Sequence, residues 1–509
     1  MRCVAGGGYV ADSTLGLTEV VWVGPEREHI YVGSPSIWKM PGSGEVVGSH
    51  DFFGASTLNA TVQVLVEPSG AGDGGAVWAH AGNVSGIYWA NLFTHPAPPR
   101  AHELYLLGVS GDDRAAVRDI VISRSDDLGQ HWTAPAVLFA GSAARSYHCA
   151  PTPTLVSAAD GRLYRAFEAL AKYSGAFLIA TAGAVTAGTD LLAPASWVQS
   201  STVVLHSGAA VVPPGWDPAG TFNWQEGNAV ALHNGTVYNM LRIDGQTNLT
   251  HNKAAVLRLE PPPPPPPPAA AGAVDAAAAA TAVAAGPTLV FDRMIDFPAT
   301  SSKFVVRADP GSASLLSLST DVSPEAVAIG AVGARNHLSL AVSKPGSIHE
   351  WEACAVLLVD DTGFEPADSA RFTGFHYVDW IFDGPDILYA PRTGYRGANT
   401  YHNANRMTVK RLRDYARLFD AATGACAWRA AYALVGAGWC RPTAGYIAYG
   451  QRVSDMECAQ RCTEAGEGKC RSFANDPGRG CSLYPSVASA SSGEAGVQCF
   501  NRNSTTVAH

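Results

Sequence analysis

Short apolar runs alternate with turns rich in Gly, Pro, Asn and Asp along most of this chain, and no long stripe of helical period interrupts them. That pattern predicts many short strands joined by tight turns. Four segments share a finer plan: polar cluster, apolar strand, Gly-containing turn, second apolar strand, second polar cluster. They are Ser34 to Asp51 around Gly42 and Gly44, Pro153 to Glu168 around Asp160-Gly161, Glu226 to Arg242 around Asn234-Gly235, and Tyr377 to Arg392 around Asp383-Gly384. Each reads as a hairpin whose polar residues sit at the end away from its turn. Polar residues flank strands in any protein because loops are wet. Hairpins set as successive inner strands around one axis would nonetheless bring these four clusters to one face as a pocket. In the third hairpin, a three-residue loop of His233, Asn234 and Gly235 places Glu226 opposite Arg242. A two-residue Asn-Gly turn would turn the pair to opposite faces, and the spacing leaves both open.

One turn recurs. Ser125, Asp127, Gly129 and Trp132 stand at the spacing S-x-D-x-G-x-x-W; Asp73, Gly75 and Trp78 repeat it with Ala71 in the serine place, and Ser343 to Trp351 is a third copy lengthened by one residue. The serine and aspartate oxygens can accept from turn N–H groups, glycine supplies a positive φ, and tryptophan closes over the turn. The octad resembles the Asp-box of sialidases. Repetition of one turn at intervals of roughly fifty residues or more is what a propeller of four-stranded sheets produces. The resemblance covers roughly residues 28–416 and implies an all-β, six-bladed β-propeller over residues 1–435.

Composition agrees with an all-β class: charged residues are only 16% of the chain, with 52 Gly and 33 Pro, while a 47% hydrophobic fraction supplies ample core. With 35 basic against 44 acidic residues there is no nucleic-acid footprint. Pro261 to Pro268 and the alanine tract up to Gly286 read as a stiff spacer and a loosely helical or disordered run, an insertion 261–286 lengthening one hairpin loop between Ala255-Val-Leu-Arg-Leu and Thr288-Leu-Val-Phe. Asp275 and the weak apolarity of alanine argue against a membrane span.

Six of the ten cysteines, Cys440, Cys458, Cys462, Cys470, Cys481 and Cys499, crowd into residues 440–499, the density of a small cross-linked domain. C-A-Q-R-C at 458–462, C-R-S-F at 470–473 and C-S-L-Y at 481–484 resemble the PAN or Apple domain, a small disulfide-rich α+β fold, here over 440–500. That resemblance implies the bridges Cys440–Cys499, Cys458–Cys481 and Cys462–Cys470, among the fifteen pairings that six cysteines allow. Zinc is the alternative, but the C-x-x-C pairs of a zinc ribbon are absent. The cysteines and five N-x-[ST] sequons (Asn59, Asn83, Asn234, Asn248, Asn503) suit a secreted chain, although Met1 to Gly8 lacks the apolar core of a signal peptide. A Cys3–Cys426 bridge would lock first and last strands together, though no spacing rule selects it.

Sialidases have a glutamate opening one such strand and an arginine closing its partner, and the resemblance carries these to Glu226 and Arg242. It carries the tyrosine nucleophile to Tyr377 in G-F-H-Y-V-D-W, and a second carboxylate-binding arginine to Arg335 in R-N-H-L-S-L. The chemistry has its own logic. A 2-keto acid glycoside bears a carboxylate beside its anomeric carbon, which repels a carboxylate nucleophile but not a neutral phenol. Ionising a phenol at pH 7 costs about 4 kcal/mol, and a glutamate in hydrogen-bond reach can take its proton during attack. Arginines hold the substrate carboxylate with paired donors. Asp51 in S-H-D-F-F-G is the candidate acid for the leaving oxygen, with His50 beside it as proton donor or orienting group. One departure stands out: I-Y-V-G-S-P-S-I puts Gly33 where sialidases carry the arginine of an R-I-P motif. Loss of one buried charged fork weakens carboxylate recognition by an amount on the order of 2 to 3 kcal/mol, and Arg392 is a group that can fill the role. Tyr147-His148-Cys149 and Tyr401-His402-Asn403 are candidates for the pocket rim or for structural hydrogen bonding, and Glu168 for a hydroxyl contact or an ion pair. No cofactor or metal is called for.

Three functions follow. The first is a secreted exo-glycosidase removing a terminal sialic acid or related keto-sugar acid from glycoconjugates with retention. The second is a non-catalytic carbohydrate-binding propeller whose Apple-like domain adds a protein or carbohydrate ligand. The third is a hydrolase of a neutral or uronic-acid polysaccharide.

Overall fold

The computed structural model describes residues 19–23, 31–54, 61–67, 78–111, 114–169, 174–204, 223–244, 251–260, 286–437, 439–441, 446–450, 452–466, 468–476 and 478–503. Cys3, the turn copy at 71–75 and the low-complexity tract through 285 lie outside them. Apolar runs punctuated by turns become antiparallel strands. Six sheets follow one another along the chain: sheet 1 (31–85), sheet 2 (88–139), sheet 3 (155–204), sheet 4 (223–296), sheet 5 (305–359) and sheet 6 (374–412). Sheet 6 takes its outer strand, Glu19–Val23, from the start of the chain, paired with Arg406–Leu412.

Every junction between neighbouring sheets has its own apolar cluster. Val47, Val84 and Leu106 fill the first junction, and Phe93, Phe167 and Phe177 the second. Tyr164, Leu178 and Leu241 fill the third, and Met240, Val306 and Leu315 the fourth. Leu316, Leu340 and Trp380 fill the fifth, and Val32, Ile381 and Met407 close the ring between sheets 6 and 1. The four hairpins legible in the chain are the first two strands of sheets 1, 3, 4 and 6.

Near their first residues, four inner strands carry the same irregularity. Their ladders slip at Gly33/Ser36, Tyr88/Asn91, Gln225/Asn228 and His376/Asp379. At each slip stands one left-handed residue: Ser34 (φ 53), Trp89 (φ 50), Glu226 (φ 57) and Tyr377 (φ 53). Such bulges bend a strand and re-aim a side chain, and left-handed φ in a non-glycine residue persists only where surroundings enforce it. The enforcement comes from the neighbouring sheets. Two residues beyond each bulge apex, Ser36 accepts from Leu92 N–H (3.0 Å), Asn91 from the Thr154 hydroxyl (3.1 Å), Asn228 from Val306 N–H (3.2 Å) and Asp379 from Ile37 N–H (2.9 Å). Thr152 to the Gly227 carbonyl (2.7 Å) and Arg307 to Asp379 (3.2 Å) stitch the remaining two junctions.

The recurrent turns occupy equivalent places, between third and fourth strands of sheets 2 and 5. In the first, Ser125 Oγ accepts from Gly129 N–H (2.9 Å), Asp127 from His131 N–H (2.9 Å), and Trp132 Nε1 donates to the Gly129 carbonyl (2.9 Å). In the lengthened copy Ser343 Oγ instead accepts from Leu315 N–H (2.8 Å) of the adjacent strand, while Trp351 closes on the Ile348 carbonyl (2.7 Å).

The C-terminal region builds a five-stranded antiparallel sheet with the helix Asp455–Ala465 packed on it, and this sheet takes in Tyr432–Ala437 ahead of Cys440. Ser454 caps the helix by accepting from Glu457 N–H (3.1 Å). The bridges are Cys440–Cys499, Cys458–Cys481 and Cys462–Cys470. Cys426 pairs with Cys354, not with Cys3, tying the outer strand of sheet 5 to the segment that enters the C-terminal sheet. Gln460 exchanges two hydrogen bonds with the Val356 backbone (3.2 and 3.1 Å), seating the helix on sheet 5. No helix among the described residues is long and apolar enough to cross a membrane.

Candidate active site

The bulges of sheets 4 and 6 carry the two groups that meet. The hairpin 226–242 turns through the three-residue loop 233–235, with Gly235 left-handed (φ 85) and Leu232 N–H bonded to the Thr236 carbonyl (3.0 Å). That loop alone would set Glu226 opposite Arg242, but the bulge inserts a residue, so Arg242 pairs with Gln225 and Glu226 stands at the apex. Tyr377 Oη donates to Glu226 Oε1 at 2.6 Å, and Arg242 Nη1 reaches both Glu226 Oε2 (2.6 Å) and Tyr377 Oη (2.8 Å). Arg242 also pairs with Asp244 at 3.2 Å. Burial pushes the Tyr377 phenol above its ordinary pKa; Arg242 opposes that rise and Glu226 adds to it. The phenol is therefore neutral at pH 7 with its proton aimed at Glu226. The Arg242 pKa is raised too: burial works against its charge, but Glu226 and Tyr377 outweigh that and hold the guanidinium charged.

Two more guanidinium groups face the same ring, Arg335 at 5.6 Å and Arg392 at 5.5 Å from its centroid. Both are buried, and neither has a carboxylate within ion-pair distance among the described residues. Arg335 donates to the Ser301 carbonyl (2.7 Å) and to His376 Nδ1 (3.0 Å), and Arg392 to the His402 carbonyl. The Nε of each is left without a partner. Two desolvated cations held only by neutral acceptors are an electrostatic demand for an anion. The histidines beside them are neutral: burial and then Arg335 push His376 well below its usual value, and Arg392, then burial, lowers His402 to about 3. His376 thus accepts on Nδ1 and donates Nε2–H to the Tyr401 carbonyl (2.9 Å).

Gly33 leaves the space at the first strand open to Arg392. A β-carbon there would stand 2.8 Å from Arg392 Nη1 and 2.7 Å from Phe53. The guanidinium of Arg392 lies in the space that a side chain at 33 would claim, stacked over Tyr31 and Phe53 (5.3 and 5.1 Å).

Asp51 lies within the second strand of sheet 1, two residues before its end and opposite Gly33, and its Oδ2 accepts from Trp89 N–H at 2.9 Å. Burial raises its pKa well above the ordinary value, with Ser34, Trp89 N–H and Arg392 only partly offsetting that, which favours the protonated form. His50 is not part of this arrangement. Strand Val46–Phe53 pairs regularly with Thr61–Glu67, so adjacent residues face opposite ways and His50 lies on the Phe52 side, its ring edge-on to that phenyl at 5.0 Å. Its Nδ1 stands 3.4 Å from the Asp51 carbonyl oxygen, at the backbone rather than at the carboxyl. Among the described residues Glu168 pairs with no arginine: its carboxylate takes His148 Nδ1 (2.9 Å) and Gly227 N–H (2.9 Å). His376 and the left-handed apex at Trp89 are the functional neighbours that the residue pattern did not single out; adjacency to Tyr377 was the available signal for the first.

The described residues hold one group with metal-ligand spacing, His102, Glu103 and Asp126, at the turn end of sheet 2 away from Tyr377; Glu103 there is already bound by Arg100 (2.7 Å).

The chain matches no protein-family model and no curated protein. Among solved structures it is similar to an α-L-arabinanase of Penicillium chrysogenum complexed with arabinobiose, at 11% identity over 80% of this chain and 98% of that one (TM-score 0.45). A Hadza microbial sialidase aligns at 11% identity over 78% and 69% of the two chains (TM-score 0.48). An intramolecular trans-sialidase of Ruminococcus gnavus in complex with oseltamivir carboxylate aligns at 11% over 78% and 97% (TM-score 0.46).

Proposed function

We propose that this chain is an exo-glycosidase of the sialidase-like type, a six-bladed β-propeller with a C-terminal PAN/Apple-like domain, that hydrolyses a terminal sialic acid or related keto-sugar acid with retention. The observation that carries the proposal is the Tyr377–Glu226 contact at 2.6 Å beside two buried guanidinium groups without a carboxylate partner among the described residues. A neutral-sugar hydrolase has no use for two uncompensated cations in its site, and a binding module has no use for a phenol poised on a base.

The reaction follows in two displacements. The substrate carboxylate settles on Arg335 and Arg392, with Arg242 as a further anchor beside them, replacing water with paired donors. Tyr377 Oη attacks the anomeric carbon as its proton passes to Glu226, with Arg242 stabilising phenolate character as it develops. The glycosidic C–O bond breaks, and the leaving oxygen takes the proton of Asp51. Water then attacks the same carbon, gives a proton to the Asp51 carboxylate, and the tyrosyl oxygen leaves and recovers its proton from Glu226. Two inversions give retention.

A fluorogenic keto-acid glycoside tests this. The wild-type chain is expected to release fluorophore, with Glu226→Gln lowering kcat by about 10³-fold. Binding without turnover selects the carbohydrate-binding reading, and turnover only on polymers lacking that carboxylate selects the polysaccharide hydrolase.

A further inference from the structure

We propose that Glu168, paired with His148, is the positioning residue that holds Glu226 in its working conformation; this rests on the reading of Tyr377 and Glu226 as the reacting pair. Glu226 is left-handed (φ 57), a strained state for a residue with a β-carbon, so something outside its own strand must hold it. Sheet 3 grips the peptide that follows it from both sides. Glu168 Oε1 accepts from Gly227 N–H (2.9 Å), and the Thr152 hydroxyl donates to the Gly227 carbonyl (2.7 Å). Gly227 admits no side chain, because a β-carbon there would lie 2.1 Å from Asn239 Oδ1.

Glu168 is itself fully committed. Its second oxygen takes His148 Nδ1 (2.9 Å), and the two residues exchange both backbone hydrogen bonds at 2.8 Å. The far side of the His148 ring packs edge-on against Trp89 at 4.7 Å. The pair is therefore a strut between the bulge of sheet 2, which carries the N–H bonded to Asp51, and the bulge of sheet 4, which carries Glu226. With both carboxylate oxygens engaged and the side chain 0% exposed, Glu168 acts through Gly227 and not on substrate.

The test compares Glu168→Gln, whose carbonyl oxygen still accepts from Gly227 N–H and whose amide NH2 donates to His148 Nδ1 once the imidazole takes its Nε2–H tautomer, with Glu168→Ala, which offers neither contact. On the full chain with the fluorogenic keto-acid glycoside, Glu168→Ala is expected to lose on the order of 100-fold in kcat with KM within about threefold, because the arginines still hold the carboxylate. Glu168→Gln is expected to stay within about threefold of wild type in both. His148→Ala, which leaves the Gly227 contact in place, is expected to fall about tenfold in kcat and keeps the test alive if Glu168→Ala does not fold. Crystal structures of the variants supply a readout independent of turnover: in Glu168→Ala the Glu226 φ leaves the positive region and the Tyr377–Glu226 contact opens beyond about 3.5 Å, while Glu168→Gln retains both. An inactive wild-type chain would sink the glycosidase reading and leave this structural comparison to decide the strut. Equal loss in Gln and Ala with the contact intact would overturn the proposal, as would unchanged kcat and geometry in Glu168→Ala.

Discussion

Sheets 1 and 2 and sheets 4 and 6 share one backbone device, a pocket-end bulge with a left-handed apex, yet they present different side chains there. The first two offer Ser34 and Trp89, the second two Glu226 and Tyr377. Ser34 and Trp89 serve the acid Asp51, through a hydroxyl and an N–H. Glu226 and Tyr377 serve each other directly. The comparison teaches that the sheets supply equivalent aimed positions, while the side chain placed on each decides whether it meets another apex side chain directly or holds a neighbouring carboxyl.

The comparison can be broken most sharply at the apices themselves. Tyr377→Phe is expected to reduce kcat by about 10⁴-fold with the fold intact, whereas Trp89→Phe, which leaves its backbone N–H on Asp51, is expected to change kcat less than tenfold. Similar losses in the two variants would erase the distinction between reacting and supporting apices.

Asp51→Asn comes next. Activity on an alkyl glycoside, whose leaving oxygen needs a proton, is expected to fall about 10²- to 10³-fold, and much less on an aryl glycoside with an acidic leaving group. The pH dependence has a definite sign. Burial raises the Asp51 pKa in the folded state, so wild-type kcat holds while the acid stays protonated and falls as pH rises through that value. The folded state binds this proton where the unfolded state has lost it, so the group's contribution to stability also declines as pH climbs from about 4 toward the raised value. Asp51→Asn is expected to flatten that decline in thermal melts taken across pH.

Arg392→Ala is expected to reduce kcat/KM by roughly 30- to 150-fold for the keto-acid glycoside, largely through KM. Gly33→Ala is a milder version of the same injury, since its β-carbon displaces the Arg392 guanidinium; about tenfold in kcat/KM is expected. The smallest effect belongs to Ser34→Ala. Its hydroxyl lowers the Asp51 pKa, so its loss is expected to move the alkaline limb of the kcat profile to higher pH with little change at the plateau.

Much of the scaffold was legible in the chain because local rules govern it. The four hairpins, the left-handed Gly235 and the Ser125 turn follow from turn chemistry and alternation, which act over a few residues. The bulges were not legible. Nothing in Trp89, Glu226 or Tyr377 favours a left-handed φ; the ladder slips because the neighbouring sheets capture the residues around each apex. That slip changed the register of Arg242 from Glu226 to Gln225. His50 shows the opposite case, where proximity in sequence misled and strand parity, unbroken in Val46–Phe53, turned it away from Asp51. The accommodation of Arg392 over Gly33 and the pairing of Cys426 with Cys354 join residues remote in sequence; the first depends on sheet 6 meeting sheet 1, the second on the chain passing back along the outer strand of sheet 5.

The most direct test of the central claim asks which atom the sugar bonds to. A keto-acid glycosyl fluoride bearing an electronegative 3-fluoro substituent slows both displacements, and its good leaving group lets the covalent species accumulate. Peptide mapping by mass spectrometry after brief incubation should then find the sugar on the peptide containing Tyr377, and none on Tyr377→Phe. A label on Glu226, or complete turnover with inversion and no labelled peptide, would contradict the account.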